Sequence, residues 1–127
     1  MILVDTSIWV DHLRAEHPVL ARLLERGWVL GHPWVTGEIA LGFLSQRREI
    51  VGLLGGIPQA AVATAPEVAA FIECYRLVGL GIGYVDVQLL AATSLTADAP
   101  LLTADKRLAA AADRLGLLAH PAGDRSC

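Results

Sequence analysis

The chain has 127 residues, 54% of them apolar, with a mean hydropathy of +0.52 and a net charge of −3. That is one domain's length, with apolar residues to spare for a partner interface, and the acidic balance excludes nucleic-acid binding by bulk basicity alone. Its longest uncharged stretch, residues 50–66, is too short for a membrane span and is interrupted by Gly55, Gly56 and Pro58. No basic residue precedes the apolar start, so no signal peptide is expected. Cys74 and Cys127 have no metal-type spacing and read as reduced thiols of a cytoplasmic protein. His12, His17, His32 and His120 form no close pair, and the last three precede prolines, which suggests loop or surface positions.

In chain order, "MILVD" predicts a short buried strand and "TSIWVDHLR" a helix directly after it. Pro18 opens a second helix that closes at Gly27. "WVLG" predicts a strand, and a helix restarts after Pro33 in "HPWVTGEIALGFL". "QRREIVGLL" predicts a helix halted by Gly55 and Gly56, and "PEVAAFIECYRLVG" a helix that closes at Gly79. After "GLGIG", the run "YVDVQLLAATSLTAD" reads as helical, "PLLTA" as a strand, "DKRLAAAADRLG" as a helix and "LLAH" as a short last strand. Alternating helices and short apolar strands imply a three-layer α/β fold over residues 1–120 with a mostly parallel central sheet, followed by a frayed tail at 121–127.

Four acids stand apart from this pattern. Glu38 is the only charged residue between Gly27 and Gln46, and Asp86 the only one between Leu77 and Ala97. Asp5 is alone at the start, and Asp105 directly follows the strand "PLLTA". Taken singly, Asp5 and Asp105 are best read as helix caps, Glu38 as a solvated helix residue and Asp86 as a further cap. Taken together, they suggest a site, because parallel strands end on one edge of an open sheet. Carboxylates converging there without Lys or Arg partners would raise one another's pKa, and a hard divalent cation resolves the repulsion.

The stretches "ILVDTSIWVDHLR", "GEIALG", "GIGYVDVQLLAAT" and "LLTADKRLAAAADRLGL" occur in that order across nearly the whole chain. In this the chain resembles PIN-domain ribonucleases, and more narrowly the VapC-like toxins of type II toxin–antitoxin pairs. The resemblance implies a metal-dependent endoribonuclease that cuts structured RNA, transfer or ribosomal, to inhibit translation. It implies Mg²⁺ or Mn²⁺ held by Asp5, Asp86 and Asp105, with Glu38 completing the shell or orienting the attacking water. Thr6 and Thr103 match family positions that orient acids or water, although turn and capping roles fit these hydroxyls equally. A cognate antitoxin protein and a homodimer are the implied partners.

Omitting the four acids turns the balance from −3 to 10 − 9 = +1, and nine of the ten basic residues are arginine, whose planar fork suits phosphate. Arg14, Lys106 and Arg107 are the candidates for RNA contact, against the plainer reading of solvated helix charges. Helices between Thr6 and Leu54 are expected to form an apolar antitoxin groove using Trp9, Trp34, Phe43 and Leu44, with core packing as the alternative for each. "GLGIGY" has Tyr84 where a dinucleotide-binding loop needs its third glycine, and reads instead as a turn that aims Asp86. A receiver-type signalling domain is rejected because Glu49 is the only acid from Leu44 to Ala65. A non-catalytic RNA-binding or scaffold protein of the same fold is the remaining alternative.

Overall fold

The computed structural model describes residues 1–42 and 45–120. Phe43, Leu44 and the tail from 121 lie outside the described residues. The elements are β1 (Ile2–Val4), α1 (Thr6–Arg14), α2 (Pro18–Glu25), β2 (Val29–Leu30), α3 (Pro33–Ala40), α4 (Arg47–Gly56), α5 (Ala65–Tyr75), α6 (Tyr84–Leu95), β3 (Leu101–Leu102) and α7 (Lys106–Arg114). This is the expected α/β architecture with a parallel central sheet. Among the described residues, no helix is long and apolar enough to cross a membrane.

The first strand takes the middle of the sheet, in the order β2-β1-β3. Ile2 and Leu3 pair with Val29 and Leu30 on one side, and Leu3 and Val4 with Leu101 and Leu102 on the other. Successive side chains of a strand point to opposite faces, and Leu3 and Val4 are both fully buried, so both faces are covered here and the strand reads as continuous apolar sequence. Single bridges from Gly31 to Gln59 and from Leu101 to Leu118 extend the sheet. The expected last strand "LLAH" is thus reduced to one bridge. Helix α6 is the central helix, with Val87 through Thr93 all buried.

Three local expectations are corrected. Helix α4 runs through Gly55 and Gly56 and stops at Ile57, whose ψ of 162° is extended. The stop is imposed by Pro58, which excludes the helical region for the residue before it. Helix α5 ends at Tyr75 rather than Gly79, because Arg76 takes the left-handed conformation at φ 54° and returns its N–H to the carbonyls of Ile72 and Glu73. His32 is no surface residue: it is fully buried and caps α3, its Nδ1 accepting from the Trp34 N–H at 3.1 Å. Burial holds its pKa below the ordinary imidazole value, so the ring is neutral at physiological pH. His17 caps α2 in the same manner, accepting from the Leu20 N–H.

Candidate active site

Strand β1 leads through Asp5 directly into α1, and β3 leads through Thr103, Ala104 and Asp105 into α7, so an aspartate stands at both helix N-termini. Asp5 caps α1, its Oδ2 accepting from the Ser7 N–H at 3.4 Å. Asp105 caps α7, its Oδ1 accepting from the Leu108 N–H at 3.0 Å. The capping readings are therefore right for both, and each stabilises a helix end. Capping, however, uses only one carboxylate oxygen.

Asp5 is 5% exposed, and an isolated charge there would carry a heavy desolvation cost. Two hydroxyls offset it. Ser7 Oγ donates to Asp5 Oδ2 at 2.7 Å and Thr103 Oγ1 donates to the same oxygen at 2.8 Å, both charge-assisted bonds. The hydroxyls are themselves fixed: Ser7 Oγ accepts from the Ala104 N–H and Thr103 Oγ1 from the Asp105 N–H, each at 3.0 Å. This lattice stitches the β1–α1 junction to the β3–α7 junction. Ser7 is the residue that sequence reasoning missed. Its position two places after a strand-end aspartate was a usable capping signal, but its bond to Ala104 joins residues 97 apart.

Glu38 comes to the same edge from α3, held by Thr6, whose Oγ1 donates to Glu38 Oε1 at 2.5 Å. Asp86 comes from the first turn of α6, its Oδ2 accepting from the Gly83 N–H at 2.9 Å. The "GLGIGY" loop therefore aims Asp86, as expected. Each acid is thus held through one oxygen by its own scaffold donor. Among the described residues, Asp5 Oδ1, Glu38 Oε2, Asp86 Oδ1 and Asp105 Oδ2 accept no hydrogen bond, and none of the four acids forms an ion pair. Although Asp5 is buried as a residue, its Oδ1 is not among the buried polar atoms left without a partner, so this oxygen still meets solvent.

Electrostatics bind the four into one group. Burial pushes the Asp86 carboxyl above its ordinary value of 3.8; the Gly83 N–H opposes this, and the charges of Asp5, Asp105 and Glu38 push it further up. Burial is thus a larger cause than the mutual repulsion expected from sequence. Among the described residues, no group of three or more His, Cys, Asp or Glu side chains is placed to hold a metal ion. What the edge offers is a set of separately anchored, hard oxygen donors without cationic partners, a donor chemistry that fits a divalent cation.

Of the basic candidates, Lys106 and Arg107 open α7 directly after Asp105. Arg14 is at the far end of α1, about 13 Å of helix axis from Asp5. Of the groove candidates, Trp9 is fully buried and belongs to the core, whereas Trp34 is 40% exposed.

No protein-family model matches the chain. It is similar to Ribonuclease VapC32 of Mycobacterium tuberculosis strain CDC 1551 / Oshkosh, with 44% identity over 117 residues that cover 92% of this chain and 94% of that protein. Ribonuclease VapC32 of strain ATCC 25618 / H37Rv matches to the same extent. That identity, spread over nearly the full length of both proteins, is enough to place the sequence in a known lineage: the chain belongs to the VapC family of PIN-domain ribonuclease toxins.

Proposed function

We propose that the chain, through a single nuclease domain over residues 1–120, cuts structured RNA endonucleolytically with Mg²⁺ or Mn²⁺ held by Asp5, Glu38, Asp86 and Asp105. One observation carries this reading: Asp86 feels the charges of the other three acids, and each acid keeps an oxygen that accepts no hydrogen bond among the described residues. A bound divalent cation supplies Lewis acidity toward the phosphodiester and lowers the pKa of a coordinated water. The chain's own residues prepare for it. Ser7 and Thr103 fix the Asp5 carboxylate and leave Oδ1 for ligation. Thr6 holds Glu38 by one oxygen, so the other is available to orient the attacking water. Asp86 must be ionised to serve as a ligand, which its raised pKa opposes until a positive charge arrives. Lys106 and Arg107 lie where the RNA backbone leaves Asp105, and Arg14 would meet only an RNA that extends along α1. Purified protein is expected to cut transfer or ribosomal RNA in Mg²⁺ or Mn²⁺ and to stop in EDTA. RNA binding without any cutting would favour the non-catalytic reading instead.

A cognate antitoxin protein completes the proposal, with toxin and target RNA meeting in the cytoplasm, the toxin as a homodimer. A groove of about 460 Å³ is lined by Pro33, Trp34, Gly37, Glu38 and Leu41, and Leu41 is 87% exposed. It runs onto Glu38, so a segment seated there reaches the acids, and an arginine on that segment would neutralise them. Trp34 is the aromatic anchor. Trp34→Ala is expected to weaken antitoxin binding by roughly thirtyfold or more, the effect typical of a buried interface tryptophan. In cells, co-expressed antitoxin should rescue growth from the wild-type toxin and fail to rescue it from Trp34→Ala. Equal rescue would remove the groove from the interface.

A further inference from the structure

We propose that the cleft between α7 and the loop before α6 is a phosphate track, in which Arg107 and Arg114 hold successive parts of the RNA backbone running away from the acid set. The proposal rests on the ribonuclease reading and adds to it a defined path for the substrate strand.

The cleft is a cavity of about 240 Å³ lined by Leu80, Arg107, Ala110, Ala111 and Arg114. Residues 107, 110, 111 and 114 follow the i, i+3, i+4, i+7 spacing of one helix face. That face carries an arginine at each end and alanines between, so methyl groups floor the space and two guanidinium groups flank it. The pair spans about 10 Å of helix axis, more than one phosphate of a single strand. Neither arginine forms an ion pair among the described residues.

Both side chains are seated by backbone. A Cβ added at Gly81 would come within 2.9 Å of Arg107 Nη1 and 3.0 Å of its Cδ, and Gly81 has φ +75°. Glycine suits this position for its backbone conformation, and the Arg107 side chain lies against it. Arg114 Nη2 donates to the Tyr75 carbonyl at 2.6 Å, at the end of α5. An arginine has five N–H donors, so this bond leaves most of the fork for a ligand. The track is continuous with the acids on both sides. Gly81, under Arg107, lies two residues before Gly83, which holds Asp86, and Arg107 lies two residues after Asp105 on the helix that Asp105 caps. A phosphodiester at the acids therefore has its neighbours delivered to Arg107 first and Arg114 next.

The test reads binding rather than cleavage. In an Asp5→Asn background, the affinity for a labelled poly(U) oligonucleotide is measured by fluorescence anisotropy over a series of KCl concentrations. The slope of log affinity against log salt is expected to fall by about 0.7 for Arg107→Gln and by about 1.4 for the double variant with Arg114→Gln. Arg22→Gln, an exposed charge on α2, should leave the slope unchanged. Arg114→Lys, which keeps the charge, should keep the slope, and this protects the result if Arg114→Gln disturbs folding. An unchanged slope in the double variant overturns the proposal, as does an equal fall in Arg22→Gln. So does loss of polyglutamate binding with poly(U) binding intact, which would assign the cleft to an acidic protein. Failure of the wild type to cut RNA in Mg²⁺, with these slopes as expected, would count against the nuclease reading and leave the track standing.

Discussion

Asp5→Asn is expected to abolish RNA cleavage while leaving the far-UV circular dichroism unchanged. The asparagine keeps the shape, and its carbonyl oxygen still accepts from Ser7 and Thr103 in place of Asp5 Oδ2. What disappears is the negative charge on a hard oxygen that faces the site. Losing several kcal/mol of cation binding and charge stabilisation corresponds to a rate drop of about 10³ or more. Asp86→Asn should behave alike. Ser7→Ala provides the contrast, since it removes one of the two hydroxyl donors to Asp5 and the acceptor of the Ala104 N–H but keeps every carboxylate. A fall of about 10–100-fold in metal affinity is typical of such a supporting residue, so raising Mg²⁺ should restore Ser7→Ala and should not restore Asp5→Asn. Single-turnover cleavage across a Mg²⁺ titration separates the two outcomes. Full activity of Asp5→Asn would remove the acids from the chemistry.

The same acids should cost stability when no cation is present. Asp86 has a folded pKa raised above its ordinary value of 3.8, by burial first and by the other three acids after it. The folded protein therefore binds more protons than the unfolded chain once the pH exceeds about 3.8, and stability declines as pH rises through the folded pKa. Buried His32, whose pKa is lowered, contributes the opposite trend as pH falls from neutral to mildly acidic, but it is common to wild type and Asp86→Asn and cancels when the two are compared in EDTA. Asp86→Asn cannot ionise and still accepts from the Gly83 N–H, so it should lose less as pH rises over that range and melt above wild type at neutral pH. Mg²⁺ should raise the wild-type melting temperature at neutral pH, since at a hundred times its dissociation constant a ligand of the folded state adds about 2.7 kcal/mol. The variant should gain less. Thermal melts at both pH values, with EDTA and with Mg²⁺, give all four comparisons. If Asp86→Asn melts below wild type in EDTA, Asp86 is a structural cap and nothing more.

Trp9 and Trp34 show how far the pattern of residues could be read. Both are large apolar side chains on helices in the first third of the chain, and nothing local separates them. Packing leaves Trp9 wholly inside and Trp34 at the surface over a groove. His32 makes the same point in reverse. A histidine before proline looks like a loop residue, yet the chain buries it completely and uses its Nδ1 as a helix cap, a role in which Ser, Thr, Asp and Asn are the usual residues.

Element types and the four acids were legible because their causes are local or compositional. A strand buried on both faces must be apolar throughout, a proline or a left-handed residue ends a helix, and a carboxylate in a long uncharged stretch is conspicuous wherever it folds. Even so, the capping role of Asp5 and Asp105 could not be weighed against a metal-binding role from sequence, since both use the same residue at the same strand-to-helix junction. The tertiary structure shows that the two are compatible, because a carboxylate has two oxygens and the cap engages one. It also supplies what no spacing predicts. The Ser7–Thr103–Asp5 lattice joins the two ends of the chain, Gly81 seats Arg107, and the Arg114 fork is pinned to the end of α5. These bonds link residues dozens of positions apart, and their partners are chosen by the pairing of β1 between β2 and β3, which brings the strand ends to one edge.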